Sequence, residues 1–97
     1  LAPAPEGWLS DLSALRPLLS EIGRTYAPFL LANAAAVTEG AAEVRAEIDG
    51  RPWVQPPFPY QAKCLATLRE AHRSLPPASR AAADAAMDGT GCETLFR

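Results

Sequence analysis

Nucleophilic and metal-ligating side chains are scarce in this chain. Its 97 residues include one histidine, His72, one lysine, Lys63, and two cysteines, Cys64 and Cys92. Two cysteines are too few for a disulfide scaffold. One histidine without a C-x-x-C pair leaves no metal-ligand set. Both thiols are expected to be reduced and packed, as unpaired cysteines commonly are; a disulfide or a reactive thiol is the alternative. The longest apolar run, around Phe29 to Val37, falls far short of the ~20 residues that cross a bilayer. No charged stretch followed by an apolar core and a cleavage site opens the sequence, so no secretory signal is read. A net charge of −2 with scattered charges argues against a nucleic-acid surface. The expectation is a cytoplasmic protein with neither nucleic acid nor membrane as partner. G-x-S-x-G, H-E-x-x-H, G-x-G-x-x-G and the phosphate loop are all missing. His72 sits among Arg69, Glu70 and Arg73. Glu70 and Arg73 at i,i+3 read as a solvated pair. His72 is placed on that same face, with no orienting partner to make it a general base.

Alanine and proline dominate what is present. Alanine favours helix, and ten prolines cut the chain into short pieces. The expected fold is mainly α, a small bundle of three to four helices with one inserted β-hairpin at about 43–55. Residues 1–7 read as a flexible arm or linker remnant and 8–97 as one helical domain. A first helical signal starts near Trp8, with Ser10 or Asp11 as its cap and Leu12, Leu15, Leu19 and Ile22 as its stripe. Pro17 interrupts that stripe, so it starts a new helix or kinks this one. The strongest helix spans about Leu18 to Glu39, bent by Pro28 near Arg24 or Thr25 and stopped by Gly40. Helices from Pro59 to about Ser74 and from about Ala78 to Asp88 follow. The first of them carries Tyr60, Cys64, Leu68 and Leu75 near one face, with Leu65 and His72 flanking. The tail, with Cys92, Leu95 and Phe96, folds back on the core.

Between the helices the period changes from helical spacing to two. Val44, Ala46 and Ile48 alternate with Arg45 and Glu47; Asp49-Gly50 follows, then Arg51, Trp53 and Gln55. Alternation around Asp-Gly signals a hairpin, since both turn residues tolerate the positive φ of a type I′ turn. A two-residue loop pairs Ile48 with Arg51, Glu47 with Pro52 and Ala46 with Trp53. Pro52 then falls at a non-hydrogen-bonded pair and removes no ladder bond. A lone hairpin is marginal in water, so Trp53 is expected to pack on the helices. The rival reading continues the long helix to Ile48; the hairpin is favoured.

Five residues are candidates for the wall of a ligand cleft: Tyr26, Asn33, Trp53, Tyr60 and Lys63. An aromatic set with a few polar tips can enclose an apolar ligand, although such residues also serve simply as core. Asn33 lies on an apolar stripe. It either bonds a backbone carbonyl freed by Pro28 or faces a ligand. Lys63 either meets an anion or snorkels at the surface.

The segments Tyr26-Ala-Pro-Phe-Leu-Leu-Ala-Asn-Ala-Ala-Ala-Val37, Ile48-Asp-Gly-Arg-Pro-Trp53 and Pro57-Phe-Pro-Tyr-Gln-Ala-Lys-Cys-Leu65, with the ending Gly89-Thr-Gly-Cys-Glu93, resemble the C-terminal part of bacterial glutathione S-transferase-like proteins. The resemblance covers roughly Leu12 to Phe96. In that family a thioredoxin-like N-terminal domain holds glutathione and the catalytic residue, and an all-helical C-terminal domain walls the hydrophobic co-substrate. The resemblance therefore implies a co-substrate-side domain that is not catalytic by itself. No cofactor is expected in this chain, and glutathione enters only with the N-terminal domain. The implied partners are that domain or a second copy of the chain in a homodimer, with a hydrophobic small molecule as ligand. A non-catalytic interaction module is the alternative. The residues expected to form an orphaned, self-associating face are Trp8, Leu9, Leu12, Phe58 and Leu95.

Overall fold

The computed structural model describes residues 14–97. The expected arm, the helical signal near Trp8 with its Ser10 or Asp11 cap, and Leu9 and Leu12 lie outside those residues. The described elements are α1 (Arg16–Glu39), β1 (Val44–Ile48), β2 (Arg51–Gln55), α2 (Pro59–Arg73), α3 (Pro77–Met87) and a closing 3-10 segment (Cys92–Phe96). The fold is thus mainly helical, with three helices and one antiparallel hairpin.

Local chemistry explains where these elements begin and end. Pro17 lies in the first turn of α1, and Pro59 and Pro77 open α2 and α3. The first turn needs no backbone donor from proline, and the fixed φ of the ring suits it. Helix α1 runs as one element through Pro28 and ends at Gly40, whose φ is 68°. The hairpin has the register read from the sequence: Ile48 opposite Arg51, Glu47 opposite Pro52 and Ala46 opposite Trp53. Asp49 and Gly50 both hold positive φ, 53° and 77°, which a type I′ turn requires.

The core gathers Ala27, Phe29, Leu30, Leu65 and Leu95, with Leu31, Ile48, Phe58 and Phe96 packed around it. Leu95 and Phe58 are therefore part of the core rather than of an orphaned face. Strand β1 lies along α1 with Val44 fully buried, and β2 pairs with β1 as the outer strand. Trp53, expected in the core, is 51% exposed. Its alternation places it on the same face as Val44, but it belongs to the strand that overhangs the helix.

Helix α2 turns a different face inward than expected. Tyr60, Cys64 and Leu68 are exposed, and Leu65 is the buried residue of the helix. Gln61, Arg69 and His72 flank Leu65 at half-buried positions. Arg69 and His72 can face inward because their polar ends find partners there. The Arg69 Nε donates to the Leu95 carbonyl at 2.6 Å. His72 stacks on Phe96, with ring centroids 4.6 Å apart, and its Nε2 lies 2.7 Å from an Asp84 carboxylate oxygen. The His72 side chain is consequently 15% exposed, which corrects the reading of a solvated residue lacking a partner. Glu70 and Arg73 do form the exposed ion pair expected of them, at 2.6 Å.

Two polar clamps fasten distant segments. Asn33 is fully buried, and both ends of its amide meet one backbone residue. Its Nδ2 donates to the Phe58 carbonyl at 3.0 Å and its Oδ1 accepts from the Phe58 N–H at 2.8 Å. Its partner is the proline-rich connection, not a carbonyl freed within α1. At the other end, Arg16 donates to the carbonyls of Ala85, Ala86 and Asp88, the free acceptors at the C-terminus of α3.

The tail closes against Gly23. A Cβ built there would stand 2.8 Å from both Cys92 N and Gly91 Cα and would also meet the Thr90 carbonyl. The Cys92 Sγ, buried by this approach, donates to the Leu19 carbonyl at 3.1 Å. Burial pushes its thiol above the ordinary value of 9.0; the Thr90 hydroxyl opposes that shift, and the Glu93 charge adds to it. The stability this gives is present below pH 9 and is lost as pH rises through the raised value. Cys64 and Cys92 are both free, but only Cys92 is packed.

Gly23→Ala is expected to cost about 3 kcal/mol or more, because the facing atoms are backbone and cannot swing aside. Denaturant melts measure the loss, and Cys92 should become reactive to a thiol reagent in the folded variant. Asn33→Leu keeps the bulk but strands the Phe58 N–H, while the Phe58 carbonyl still accepts from the Gln61 and Ala62 N–H groups, so urea titration should show a loss of about 1–3 kcal/mol.

Candidate functional site

The site lies at the seam between α1 and the hairpin. A cleft of about 380 Å3 opens there, walled by Tyr26 and Phe29 of α1, Ile48 of β1 and Trp53 of β2. The Tyr26 and Phe29 rings lie 5.7 Å apart and inclined at 46°, a tilted aromatic pair within the favoured range. Thr25, Gln55 and Gln61 complete the lining. No carboxylate, amine, thiol or imidazole is among these residues, so the wall is uncharged.

The turn beside the cleft is tethered to α1. Arg24 Nε meets an Asp49 carboxylate oxygen at 3.2 Å, and a second nitrogen of the same guanidinium meets Glu21. These groups are more than half exposed, and pairs of that kind contribute about 0–1 kcal/mol. The tether orients the turn more than it stabilises the fold.

The polar atoms of the cleft are incompletely paired. Trp53 Nε1 donates to Gln55 Oε1 at 3.2 Å, while Gln55 Nε2 is buried without a partner. Gln61 Nε2 reaches the Tyr60 hydroxyl at 3.5 Å, and Gln61 Oε1 is likewise buried and unpaired. Each such group costs about 1–3 kcal/mol when it is left without a hydrogen bond. Both belong to side chains of this one cleft, and no other buried side-chain nitrogen or oxygen among the described residues is unpaired.

The five residues singled out from the sequence separate in space. Tyr26 and Trp53 line the cleft. Tyr60 is 63% exposed and stands at its margin, touching it through Gln61. Asn33 is committed to the Phe58 backbone, and Lys63 is exposed on α2 outside the lining. The sequence reading missed Thr25, Phe29, Ile48, Gln55 and Gln61 as lining residues. One signal for Gln55 was available, since it shares the strand face of Trp53 at i,i+2. Nothing in the spacing singles out Gln61. Among the described residues no group of histidine, cysteine and carboxylate side chains gathers as a metal site, and no helix is long and apolar enough to cross a membrane.

Because Trp53 is half-exposed, Trp53→Ala is expected to cost less than about 2 kcal/mol, below the range for emptying a core aromatic site. Thermal melting of the variant checks this; a loss of 4 kcal/mol or more would place the indole in a core. Compared with protein-family models, curated proteins and solved structures, the chain finds no match.

Proposed function

We propose that this chain is a non-catalytic helical binding domain whose cleft receives a neutral, apolar small molecule. The observation that carries the reading is the aromatic, uncharged cleft between α1 and the hairpin, with Tyr26 49% and Trp53 51% exposed at its walls. Large aromatic side chains left half in water beside a concavity are arranged to meet a ligand, since burial in a core would stabilise the fold more. No activated nucleophile and no oriented base stands in the cleft, which supports binding without chemistry.

The resemblance to glutathione S-transferase-like proteins gives this cleft a context. In that setting the chain is the co-substrate-side domain, its partner is a thioredoxin-like N-terminal domain, and glutathione is held by that partner. The reading frame upstream of Leu1 tests the context directly. A thioredoxin-like domain encoded there supports it; an unrelated domain overturns it and leaves the cleft reading standing. A specific observation also favours the interaction-module alternative: Leu15 and Leu18 are exposed at the start of α1, so a second copy or another chain has apolar side chains to cover.

Titration with N-phenyl-1-naphthylamine, a neutral fluorescent probe, tests the cleft. Fluorescence enhancement is expected with the natural chain, and Tyr26→Ala or Trp53→Ala should weaken binding about tenfold, equivalent to ~1.4 kcal/mol. Leu68→Ala, which removes an exposed side chain outside the lining, should leave it unchanged. No enhancement, together with a dimer mass by light scattering, would move the function to self-association.

A further inference from the structure

We propose that Gln55, with Gln61 as its adaptable neighbour, is a polar anchor that makes the cleft select planar apolar molecules bearing a neutral carbonyl acceptor. The inference rests on the cleft reading above and specifies its ligand class.

Hydrogen-bond chemistry fixes the direction of the Gln55 amide. An indole N–H only donates, so the Gln55 side-chain oxygen must face Trp53, 3.2 Å from its Nε1. The amino group is thereby turned away from the indole, and it is buried with no acceptor in reach. A ligand acceptor is the missing partner. Gln61 is different. Its neighbour is the Tyr60 hydroxyl, which both donates and accepts, so this amide can present either its oxygen or its amino group. One anchor therefore has a set sign and the other adjusts.

The rest of the lining narrows the class further. Tyr26, Phe29, Ile48 and Trp53 provide flat aromatic and aliphatic contact, suited to a planar body. No cationic side chain lines the cleft to balance a carboxylate or phosphate, and no anionic one to balance an amine. A neutral carbonyl, as in a ketone, lactone or amide, meets the donor without carrying charge into the cleft. The terminal torsion of glutamine is broad, so a modest rotation that keeps the oxygen on the indole N–H brings the amino group toward such a carbonyl without backbone movement. Two half-paired amides in a largely apolar wall make the fold less stable than hydrocarbon side chains there would. A carbonyl ligand satisfies at least the one whose sign is fixed.

A matched pair of probes tests the anchor: 2-acetylnaphthalene and 2-isopropenylnaphthalene, alike in shape except that C=O replaces C=CH2. Affinities come from titration of the full chain followed by 15N–1H NMR, in which the glutamine side-chain NH2 signals are resolved. The ketone is expected to bind about five- to tenfold more tightly, the factor that one hydrogen bond provides. Its binding should move the Gln55 NH2 signals, and the hydrocarbon should not. Gln55→Leu should abolish the preference while retaining hydrocarbon binding. Gln61→Leu should keep most of the preference, and it decides the matter together with the wild-type NH2 shifts if Gln55→Leu loses the hairpin signals. Equal affinity for both probes with an unmoved Gln55 NH2 overturns the anchor and leaves the apolar cleft intact. Binding of neither probe overturns the cleft reading and the anchor with it.

Discussion

The structure depends on the amide of Asn33. A planar carboxamide offers one donor and one acceptor side by side, as a peptide unit does, and it pairs with the N–H and carbonyl of Phe58 together. Aspartate at this position could accept but not donate, and serine could not span both groups. The clamp fixes the end of the proline-rich segment against the middle of α1. That sets where α2 begins, since Phe58 is its extended N-cap and Pro59 its first residue. It also closes the excursion that leaves α1 at Gly40, forms the hairpin and returns. With both ends held, β1 lies along α1 and the cleft opens between them.

A domain this small has few large apolar side chains to bury, and its other half is held by close backbone approach and satisfied carbonyls. Gly23 lets the Thr90–Cys92 backbone reach α1 at a distance no side chain would allow. Arg16 and Arg69 then donate to carbonyls at the end of α3 and in the 3-10 segment, and His72 is held between Phe96 and Asp84. Such contacts replace apolar area with directional bonds. The alanine-rich α3 can therefore serve as a structural element although Ala86 is its one buried residue.

Local signals in the sequence were sufficient for the element order. Pro17, Pro59 and Gly40 mark helix ends, and Asp49-Gly50 carries both the turn and its register. Each is a property of a few adjacent residues. The facing of α2 was not legible, because Leu65 rather than Tyr60 or Leu68 points inward only once Leu95, Asp84 and Phe96 arrive from the far end of the chain. Period-two alternation told which face of the hairpin Trp53 occupies. It could not tell which of the two strands would rest on the helix, and that choice decides whether the indole is core or wall. Asn33 was legible as a buried amide, but its partner lies 25 residues away and left no local trace. The cleft was half visible through Tyr26 and Trp53; Gln55 and Gln61 become meaningful only when the fold brings their side chains to one cavity.

The location of that cavity has a thermodynamic consequence. Its aromatic and aliphatic walls belong to α1 on one side and the hairpin on the other, with Gln61 of α2 completing the lining. The hairpin is fastened to α1 by Val44, by the exposed Arg24–Asp49 pair and by the Asn33 clamp at its base. Strand β2 is held chiefly by its pairing to β1. A molecule lying between Tyr26 and Trp53 adds contacts between α1 and β2, so it binds the docked hairpin better than an undocked one. By mass action such a ligand stabilises the docked arrangement in proportion to its differential affinity. The same half-exposed indole that contributes little to the fold by itself is the group through which an occupant would tighten it.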